Sequence, residues 1–342
     1  MALIGLTATR EGVQLPFASW GAGTRRLAAL AIAELNQSAF PITLVDEIER
    51  GLEPYRQRTL VQKLESGACQ VFVTTHSAAA LSAATDATLW YVDHAGAIGR
   101  LDSLKIAKHQ KRDPETFLSR LAVVAEGATE VGFVTALLEL ALGSPPEQHG
   151  IHVSDGGGHE STLDLLEALA GGGVRFSGFA DDEGKYPTRW SKLGESLEKL
   201  LFRWTAGCLE ENIINRVPDE KLEALTTDPT KRKTGMRLRS LAERLGVEDK
   251  TFASLRAKAG GDLKSVVVAA ALGTIPDGTP EDEKGRYQSH AQTWFKTVDG
   301  GRELAEKTFS LGIWQALKAN LLPFCNAVRH SIGMPPVKDI SP

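Results

Sequence analysis

Three short apolar stretches, each followed by acidic residues or glycine, limit the possible folds of this 342-residue chain most strongly. They cover residues 121–125, 151–153 and 174–179, and the sequence between them has helical periodicity. Strands of this length that alternate with helices are typical of a parallel sheet flanked by helices. The sequence therefore predicts an α/β fold in this part of the chain.

Acidic residues follow each of these predicted strands. Glu126 follows the first strand, Asp155 the second, and Asp181, Asp182 and Glu183 the third. The carboxyl ends of parallel strands meet at one edge of a sheet, so we expect these carboxylates to converge there. Carboxylates in one crevice repel each other unless a cation lies among them, and Mg²⁺ and Mn²⁺ prefer oxygen ligands. The sequence therefore predicts a divalent-metal site for phosphate chemistry.

This arrangement resembles a Toprim domain, the catalytic fold shared by topoisomerases, primases and some nucleases. In that family a glutamate ends the first strand within a Glu-Gly pattern, here Glu126-Gly127, and an Asp-x-Asp pair ends a later strand. That pair reads Asp181-Asp182-Glu183 in this chain. Glu183 therefore takes the place of the second aspartate, with Asp182 as the alternative ligand.

Two further acids are candidate ligands. A helix is predicted to begin near Thr129 and to end at Gly143, which places Glu130 in its first turn beside Glu126. Glu130 either faces the crevice or only interacts favourably with the helix dipole. Asp155 precedes a glycine-rich loop, which is either a metal-binding loop or an ordinary turn.

Composition limits the class of protein. The chain is long enough, and at 42% hydrophobic residues apolar enough, to form two folded units. Its net charge of -4 gives no overall basic field, so nucleic acid would be bound by local patches. The three cysteines are far apart in sequence, which is typical of unpaired thiols in a reducing cytoplasm. No apolar run approaches the ~20 residues that cross a bilayer, so we expect a cytoplasmic protein without a membrane partner.

Three motifs in the first hundred residues indicate part of a nucleotide-binding domain. The glycine turn Gly21 to Gly23 opens an apolar-periodic helix, whose N-terminus would suit phosphate. One apolar strand ends in Asp46 and Glu47, and the next leads to His76. Such acids can hold Mg²⁺ and orient the attacking water, and the histidine can sense the γ-phosphate.

The order and spacing of these motifs resemble the second half of an ABC-type ATPase head. The resemblance assigns the signature loop to residues 21–24, the Walker B acids to Asp46 and Glu47, the D-loop to residues 48–53 and the switch to His76. No GxxxxGK[ST] sequence occurs, so the loop that cradles phosphates is absent from this sequence. We therefore expect a C-terminal portion or natural truncation of a larger protein. We expect it to bind ATP only if that loop is supplied elsewhere and to hydrolyse no appreciable ATP alone.

An ABC-type head followed by a Toprim domain resembles the OLD (overcoming lysogenisation defect) family of nucleases, in which an ATPase domain is fused to a C-terminal Toprim nuclease. The resemblance places a partial ATPase domain at residues 1–110 and a Toprim nuclease domain at residues 118–342, with a helical insertion or cap at about 187–280. It implies metal-dependent cleavage of DNA and association of chains through the ATPase part. Glu210 and Glu211 either reach the crevice or, as the favoured interpretation, are surface acids of the helical region.

OLD nucleases resemble two-metal hydrolases, which gives each acid a role. The resemblance assigns Glu126, Asp181 and Glu183 to one Mg²⁺ or Mn²⁺ ion, and Glu130 and Asp155 to the second.

Basic residues would complete the site. OLD proteins have a C-terminal lysine that offsets charge on the scissile phosphate; Lys296 is the best match, with Lys284 and Lys307 as alternatives. Other basic residues either contact the DNA backbone or form solvated surface. They are Lys231, Arg232, Lys233, Arg237, Arg239 and Arg302.

Two other functions stay open. The first is an ATPase-head module that assembles on DNA without nuclease activity, and the second is a Toprim enzyme of topoisomerase or primase type. A topoisomerase requires a tyrosine nucleophile, and the sequence context of none of the four tyrosines indicates one. Hydrolysis by water is therefore favoured. No template-reading module for a primase is evident.

Overall fold

The computed structural model describes residues 7–10, 12–35, 42–67, 69–92, 96–101, 103–228, 230 and 232–341. The chain divides into two compact units, Met1–Trp90 with Arg100–Leu118, and Tyr91–Gly99 with Ser119–Pro342. Lys231, a predicted DNA-binding residue, lies outside the described residues.

The first unit is built from short strands and helices. Its strands are β1 (Thr7–Arg10), β2 (Val13–Pro16), β3 (Ile42–Val45) and β4 (Gln70–Val73), and its helices are α1 (Ala22–Leu35), α2 (Pro54–Glu65), α3 (Ala78–Ala83) and α4 (Leu104–Arg112). β3 and β4 are parallel, and β1 and β2 are antiparallel. Val45, Ile48 and Leu60 belong to a separate apolar core in this unit. Two further strands, β5 (Leu89–Val92) and β6 (Ile98–Leu101), pair with each other.

The second unit contains a four-stranded parallel sheet with the strand order β10-β9-β7-β8. Its strands are β7 (Leu121–Ala125), β8 (Ile151–Asp155), β9 (Phe176–Ala180) and β10 (Leu201–Arg203). Every residue of β7 and β9 is buried, as expected for central strands that are covered on both faces. The predicted α/β fold, a parallel sheet flanked by helices, is therefore confirmed.

Helices cover both faces of this sheet. They are α5 (Ala128–Leu142), α6 (His159–Gly171), α7 (Pro187–Leu197), α8 (Leu209–Ile214), α9 (Leu222–Thr226), α10 (Thr234–Leu245), α11 (Phe252–Ala259), α12 (Leu263–Leu272), α13 (Glu281–Thr293), α14 (Val298–Ser310) and α15 (Trp314–Ser331). α5 contacts β7 and β8, and α6 contacts β7 and β9. α15 packs against α5, and α7 packs against α6. Among the described residues, no helix combines the length and apolar character of a membrane span.

The edge strand β10 differs from the sequence-based expectation. Residues 191–204 were expected to be helical, but α7 ends at Leu197 and the chain then extends. The reason is a tertiary contact, since Phe202 stacks on Phe179 of β9 with ring centroids 4.6 Å apart. The helical region expected at about 187–280 therefore contributes one strand to the sheet.

Helix α14 begins at Val298, two residues before the Gly300-Gly301 pair. The Thr297 side chain caps the helix by accepting a hydrogen bond from the backbone amide of Gly300 at 3.0 Å. Capping of this kind satisfies a backbone donor that the helix itself cannot. Gly300 and Gly301 therefore lie inside the first turns of α14 rather than before it.

Two glycines allow α5 and α14 to cross in close contact. A Cβ on Gly132 would lie 1.9 Å from the carbonyl oxygen of Val298, and a Cβ on Gly301 would lie 1.9 Å from the carbonyl oxygen of Thr129. Only glycine permits backbones to approach so closely. The crossing holds the start of α14, and with it Lys296, against the first turn of α5.

Replacing Gly301 with Ala is expected to lower the free energy of unfolding by about 1–3 kcal/mol, because the added carbon would force the helices apart. Urea denaturation measures this change. Gly285→Ala in α13 is the matched control, because its Cβ would meet no atom within 4 Å and no loss is expected. A Gly301→Ala variant as stable as the wild type would contradict the role of the crossing.

Candidate metal centre

The carboxyl ends of β7 and β9 open into a cleft of about 490 Å³. Glu126 directly follows β7 and Asp181 directly follows β9, and both side chains are buried. Glu126 Oε2 accepts a hydrogen bond from the backbone amide of Asp181 at 3.0 Å. Asp181 Oδ1 accepts one from the backbone amide of Leu209 at 2.9 Å. The structure thus brings two of the predicted ligands together and fixes both by backbone donors.

Glu183 lies close to the same site. One ligand atom each from Glu126, His159 and Glu183 lies within 4.8 Å of the other two. The Glu183 carboxylate accepts a hydrogen bond from Lys185 at 2.8 Å, which lowers the pKa of Glu183 below its ordinary value. Glu183 is therefore ionised at neutral pH and within reach of a shared cation.

Asp182, the alternative ligand, has other partners. Its carboxylate forms an ion pair with Arg203 of β10 and accepts a hydrogen bond from the backbone amide of Gly184 at 2.8 Å. Its backbone amide donates to the carbonyl oxygen of Gly207 at 3.1 Å. These contacts tie Asp182 to the sheet edge, so the geometry favours Glu183 as the second acid of the motif.

His159, which the sequence analysis did not single out, orients Glu126. Trp190 Nε1 donates a hydrogen bond to His159 Nε2 at 3.2 Å. Because an indole nitrogen only donates, Nε2 is unprotonated and Nδ1 carries the hydrogen. Nδ1 lies 3.2 Å from Glu126 Oε2 and donates to it. His159 therefore orients the metal ligand Glu126 rather than binding a metal itself. The one sequence feature that could have identified His159 is its position directly after a glycine-rich loop.

Glu130 lines the other side of the cleft, and the buried Glu210 lies beside it in contact with Lys296. Glu130 lies in the first turn of α5 and Glu210 in the first turn of α8. Glu130 is 4% exposed and Glu210 is 0% exposed, so the expectation that Glu210 is a surface acid was wrong. Lys296 Nζ lies 2.9 Å from Glu210 Oε1, and Lys296 lines the cleft. The predicted lysine and a new acid therefore meet beside the predicted ligands.

Burial and mutual repulsion change the acidity of these groups. Burial, followed by the charges of Glu130 and Glu126, raises the pKa of Asp181 to about 9. Burial, followed by the charge of Glu210, raises the pKa of Glu130 to about 7. Burial acts to lower the pKa of Lys296, but the Glu210 carboxylate outweighs it and the pKa is raised. Lys296 is therefore an ammonium among acids that resist simultaneous ionisation.

The residues of the cleft fit divalent cations. Glu130 Oε1 and Glu210 Oε2 are buried and have no hydrogen-bond partner among the described residues. A buried carboxylate oxygen without a partner is costly, and a cation would relieve that cost. Carboxylate oxygens are the ligands that Mg²⁺ and Mn²⁺ prefer. The donor chemistry therefore agrees with the metal type that the sequence predicts.

Asp155 is not brought into this cleft. It ends β8 next to β7, its side chain is exposed, and it is not among the residues that line the cleft. Asp155 Oδ1 accepts a hydrogen bond from the backbone amide of Gly157 at 2.7 Å. This contact is typical of an aspartate that stabilises a turn.

The alternative lysines do not line the cleft either. Lys307 is buried and donates to the carbonyl oxygens of Ala224 and Thr227, each at 2.6 Å. Lys284 forms an ion pair with Glu281 on the surface of α13. Neither ammonium group therefore lies at the cleft, as that of Lys296 does.

The predicted basic residues do not form one surface. Arg237 is completely buried and binds both carboxylate oxygens of Glu303 at 2.7 Å, so its interpretation as a DNA contact was wrong. Arg302 forms an ion pair with Glu139 at 2.7 Å. The remaining described members are accessible to solvent: Arg232, Lys233 and Arg239.

In the first unit, the Walker B-like acids lie beside β4. Thr74 Oγ1 donates to Asp46 Oδ1 at 2.6 Å and accepts from the backbone amide of Glu47 at 2.8 Å. Glu47 has a positive φ of 48°, which is uncommon for a residue other than glycine. Arg26 of α1, which begins directly after Gly21, donates to the carbonyl oxygens of Asp46 and Glu47. The glycine turn and the acids are therefore joined through α1.

Glu49, which the sequence analysis did not single out, joins the turns after β3 and β4. Its carboxylate accepts from the backbone amide of His76 at 2.8 Å and from Thr75 Oγ1 at 2.7 Å. Burial acts to raise the pKa of Glu49, but these hydrogen bonds lower it overall. A Cβ on Gly23 would lie 2.0 Å from the carbonyl oxygen of Gly51, so the glycine turn packs on the same segment.

Residues 5–82 match the family model described as "AAA domain, putative AbiEii toxin, Type IV TA system". The beginning of the chain therefore resembles an AAA-family ATPase domain, over less than half of the chain's length. No curated protein matches the chain.

Solved structures that resemble the chain include C-terminal regions of two OLD proteins. The region from Xanthomonas campestris pv. campestris shares 17% identity and has a TM-score of 0.37, and the match covers 64% of this chain and 96% of that one. The region from Burkholderia pseudomallei shares 13% identity and has a TM-score of 0.35, with coverage of 64% and 100%. Both TM-scores are below 0.5, so neither structure supports a conclusion about this chain.

The free energy of unfolding of the metal-free protein is expected to fall as the pH rises from about 5 to about 9, above the ordinary carboxyl range. The raised pKa values of Asp181 and Glu130 mean that the folded protein holds protons that the unfolded chain has released. Stability is therefore lost as the pH passes through the folded-state pKa values. Asp181→Asn should flatten this slope in urea denaturation with EDTA, whereas the exposed control Asp277→Asn should retain it. Equal slopes for all three proteins would contradict the assignment.

Proposed function

We propose that this chain is a metal-dependent DNA endonuclease that hydrolyses phosphodiester bonds with two divalent cations. The observation that carries the proposal is the meeting of Glu126, Asp181 and Glu183 at the carboxyl edge of a parallel sheet, with Lys296 in the same cleft. Clustered carboxylates attract divalent cations, and those cations in turn attract phosphate. A cleft of this composition suits a phosphodiester better than a neutral substrate.

Each side chain has a role in this proposal. Glu126, Asp181 and Glu183 would hold one Mg²⁺ or Mn²⁺ ion, and Glu130 would help to hold the second. Such ions lower the pKa of an attacking water and stabilise the leaving oxygen. Lys296 would offset the charge that grows on the phosphate oxygens in the transition state.

The AAA-like part has a supporting role in the proposal. This part would regulate the nuclease or bring two chains together. It has the Walker B-like acids and His76 around β3 and β4, but the sequence lacks the loop that would bind the phosphates of ATP. ATP would bind there only with a loop supplied elsewhere. The hydrogen bonds of Thr74, Glu49 and Arg26 would keep the segments after β3 and β4 in place for a phosphate-binding loop that is supplied elsewhere.

Asp181→Asn is expected to abolish nicking of supercoiled plasmid, a loss of about 10³-fold or more, because the variant keeps the shape of the side chain and loses a ligand charge. Gel electrophoresis after incubation with Mg²⁺ or Mn²⁺ measures nicked and linear products. Asp277→Asn is the control for the same change at an exposed position. Unchanged cleavage by Asp181→Asn would rule out the proposed centre.

Strand passage by a topoisomerase is the second candidate, and one observation favours it. Tyr186 stacks on His159 with ring centroids 6.4 Å apart, and His159 contacts Glu126. A tyrosine nucleophile would become linked to DNA and would produce relaxed topoisomers, whereas hydrolysis gives nicked and linear plasmid.

Tyr186→Phe is therefore expected to retain nicking. Relaxed products that disappear in Tyr186→Phe would instead support strand passage, and binding without any cleavage would support the ATPase-head module.

A further inference from the structure

We infer that Arg203 of β10 is a positioning residue that selects the metal ligand in the acidic turn after β9, residues 181–183. It holds the Asp182 carboxylate and leaves Glu183 free to bind the cation. The inference deepens the proposed function and rests on it, because it concerns the same metal centre. No sequence motif indicates Arg203, which lies 21 residues after Asp182 on a different strand.

The hydrogen bonds of Arg203 are the first argument. Its Nη2 forms an ion pair with Asp182 Oδ1, and its Nε donates to the carbonyl oxygen of Asp181 at 3.3 Å. The planar guanidinium group binds two acceptors at once in a fixed orientation, which a lysine ammonium does not do. One side chain therefore holds two successive residues of the acidic turn.

The surroundings of Arg203 keep its own side chain in place. β10 pairs with β9 in parallel register, so Arg203 lies on the strand beside the acidic turn. Its guanidinium carbon lies 5.1 Å from the centre of the Trp190 ring, which is a cation–π contact. Trp190 is buried and also donates to His159, which orients Glu126. The groups that orient both ligand-bearing strand ends therefore pack against one buried ring.

The two acids that follow Asp181 differ in how firmly they are paired. The side chains of Asp182 and Arg203 are each 22% exposed, and Asp182 Oδ1 also accepts from the backbone amide of Gly184 at 2.8 Å. The Glu183 side chain is 40% exposed and pairs with Lys185, which is 65% exposed. Exposed ion pairs contribute little, whereas charge-assisted hydrogen bonds from a partly buried arginine are stronger. A cation therefore displaces the partner of Glu183 more easily than the partner of Asp182.

Without Arg203, Asp182 would be available as a ligand. It lies between the predicted ligands Asp181 and Glu183 in the sequence and lines the same cleft. An arginine keeps its charge at any pH at which the protein is folded, so its pair with Asp182 persists during metal binding. An ion pair that only fastened the edge strand β10 would have the same contacts but would leave the choice of metal ligand unchanged. The two roles therefore differ in their effect on metal binding.

The affinity for Mn²⁺, measured by isothermal titration without DNA, tests the inference. In the wild type, Glu183→Gln is expected to weaken binding by about thirtyfold because a ligand charge is lost, and Asp182→Asn by no more than about threefold. In the Arg203→Gln background, Asp182→Asn is expected to weaken binding by about thirtyfold, because the released carboxylate now binds the ion. Comparison within each background cancels the general effect of removing the arginine charge.

Arg189→Gln is the matched control for the loss of an arginine charge. Arg189 is also a partly exposed arginine of this unit, but its partners are Asp164 and Glu167 rather than the acids of the turn. In the Arg189→Gln background, Asp182→Asn is therefore expected to keep the small effect that it has in the wild type.

Two results would overturn the inference. The first is an effect of Asp182→Asn on Mn²⁺ affinity that is the same with and without Arg203→Gln, and the second is an equal loss for Asp182→Asn and Glu183→Gln in the wild type. Circular dichroism shows whether Arg203→Gln is folded. Arg203→Lys takes its place if it is not, because lysine keeps the charge and loses the second hydrogen bond; Asp182→Asn should then weaken binding by about tenfold.

Failure of this inference can be told apart from failure of the proposed function. Coupling between Arg203 and Asp182 in Mn²⁺ binding, without plasmid cleavage by the wild type, would support the positioning role and refute the nuclease. Plasmid cleavage by the wild type without that coupling would support the nuclease and refute the positioning role. A wild type that binds no Mn²⁺ would also refute the positioning role.

Discussion

Repulsion among buried carboxylates is the constraint that shapes the second unit. Glu126, Glu130 and Asp181 are buried at one cleft, and Lys296 pairs with a fourth buried acid, Glu210, beside it. Removing such charges from water is costly, so other interactions must hold the acids together. Backbone amides bind two of the acids directly, and the packed strands β7 and β9 place them at neighbouring strand ends. The stability of the sheet and its helices therefore supports a centre that is unfavourable by itself.

The acids at strand ends could be predicted because their environment is encoded locally. Glu126 and Asp181 each end a continuous apolar run, which identifies a buried parallel strand and the edge where its side chains emerge. Glu210 could not be found in this way, since α8 is too short to show which of its faces is buried. The role of His159 depends on Trp190, which is 31 residues further along the chain. A contact between residues this far apart cannot be recognised from the local sequence.

The errors in the sequence analysis have the same physical origin. Arg237 lies in a basic run that suggests a solvated surface, but Glu303, 66 residues away, binds it in the interior. Residues 201–203 continue a helical pattern, yet stacking of Phe202 on Phe179 draws them into the sheet. Tertiary contacts override local propensity where they bury more apolar surface or pair a charge. The α/β class was predictable because it depends on many local signals rather than on one distant contact.

The crossing of α5 and α14 also determines when the cleft is completed. Thr129 donates a hydrogen bond to the carbonyl oxygen of Phe295, 166 residues later in the chain, directly before Lys296. As a ribosome synthesises the protein, the acids of the cleft emerge first and their ammonium partner emerges last. A nascent chain that ends before Lys296 therefore has the acids without the lysine. Assembly of the centre therefore has to wait for synthesis of the segment that carries Lys296.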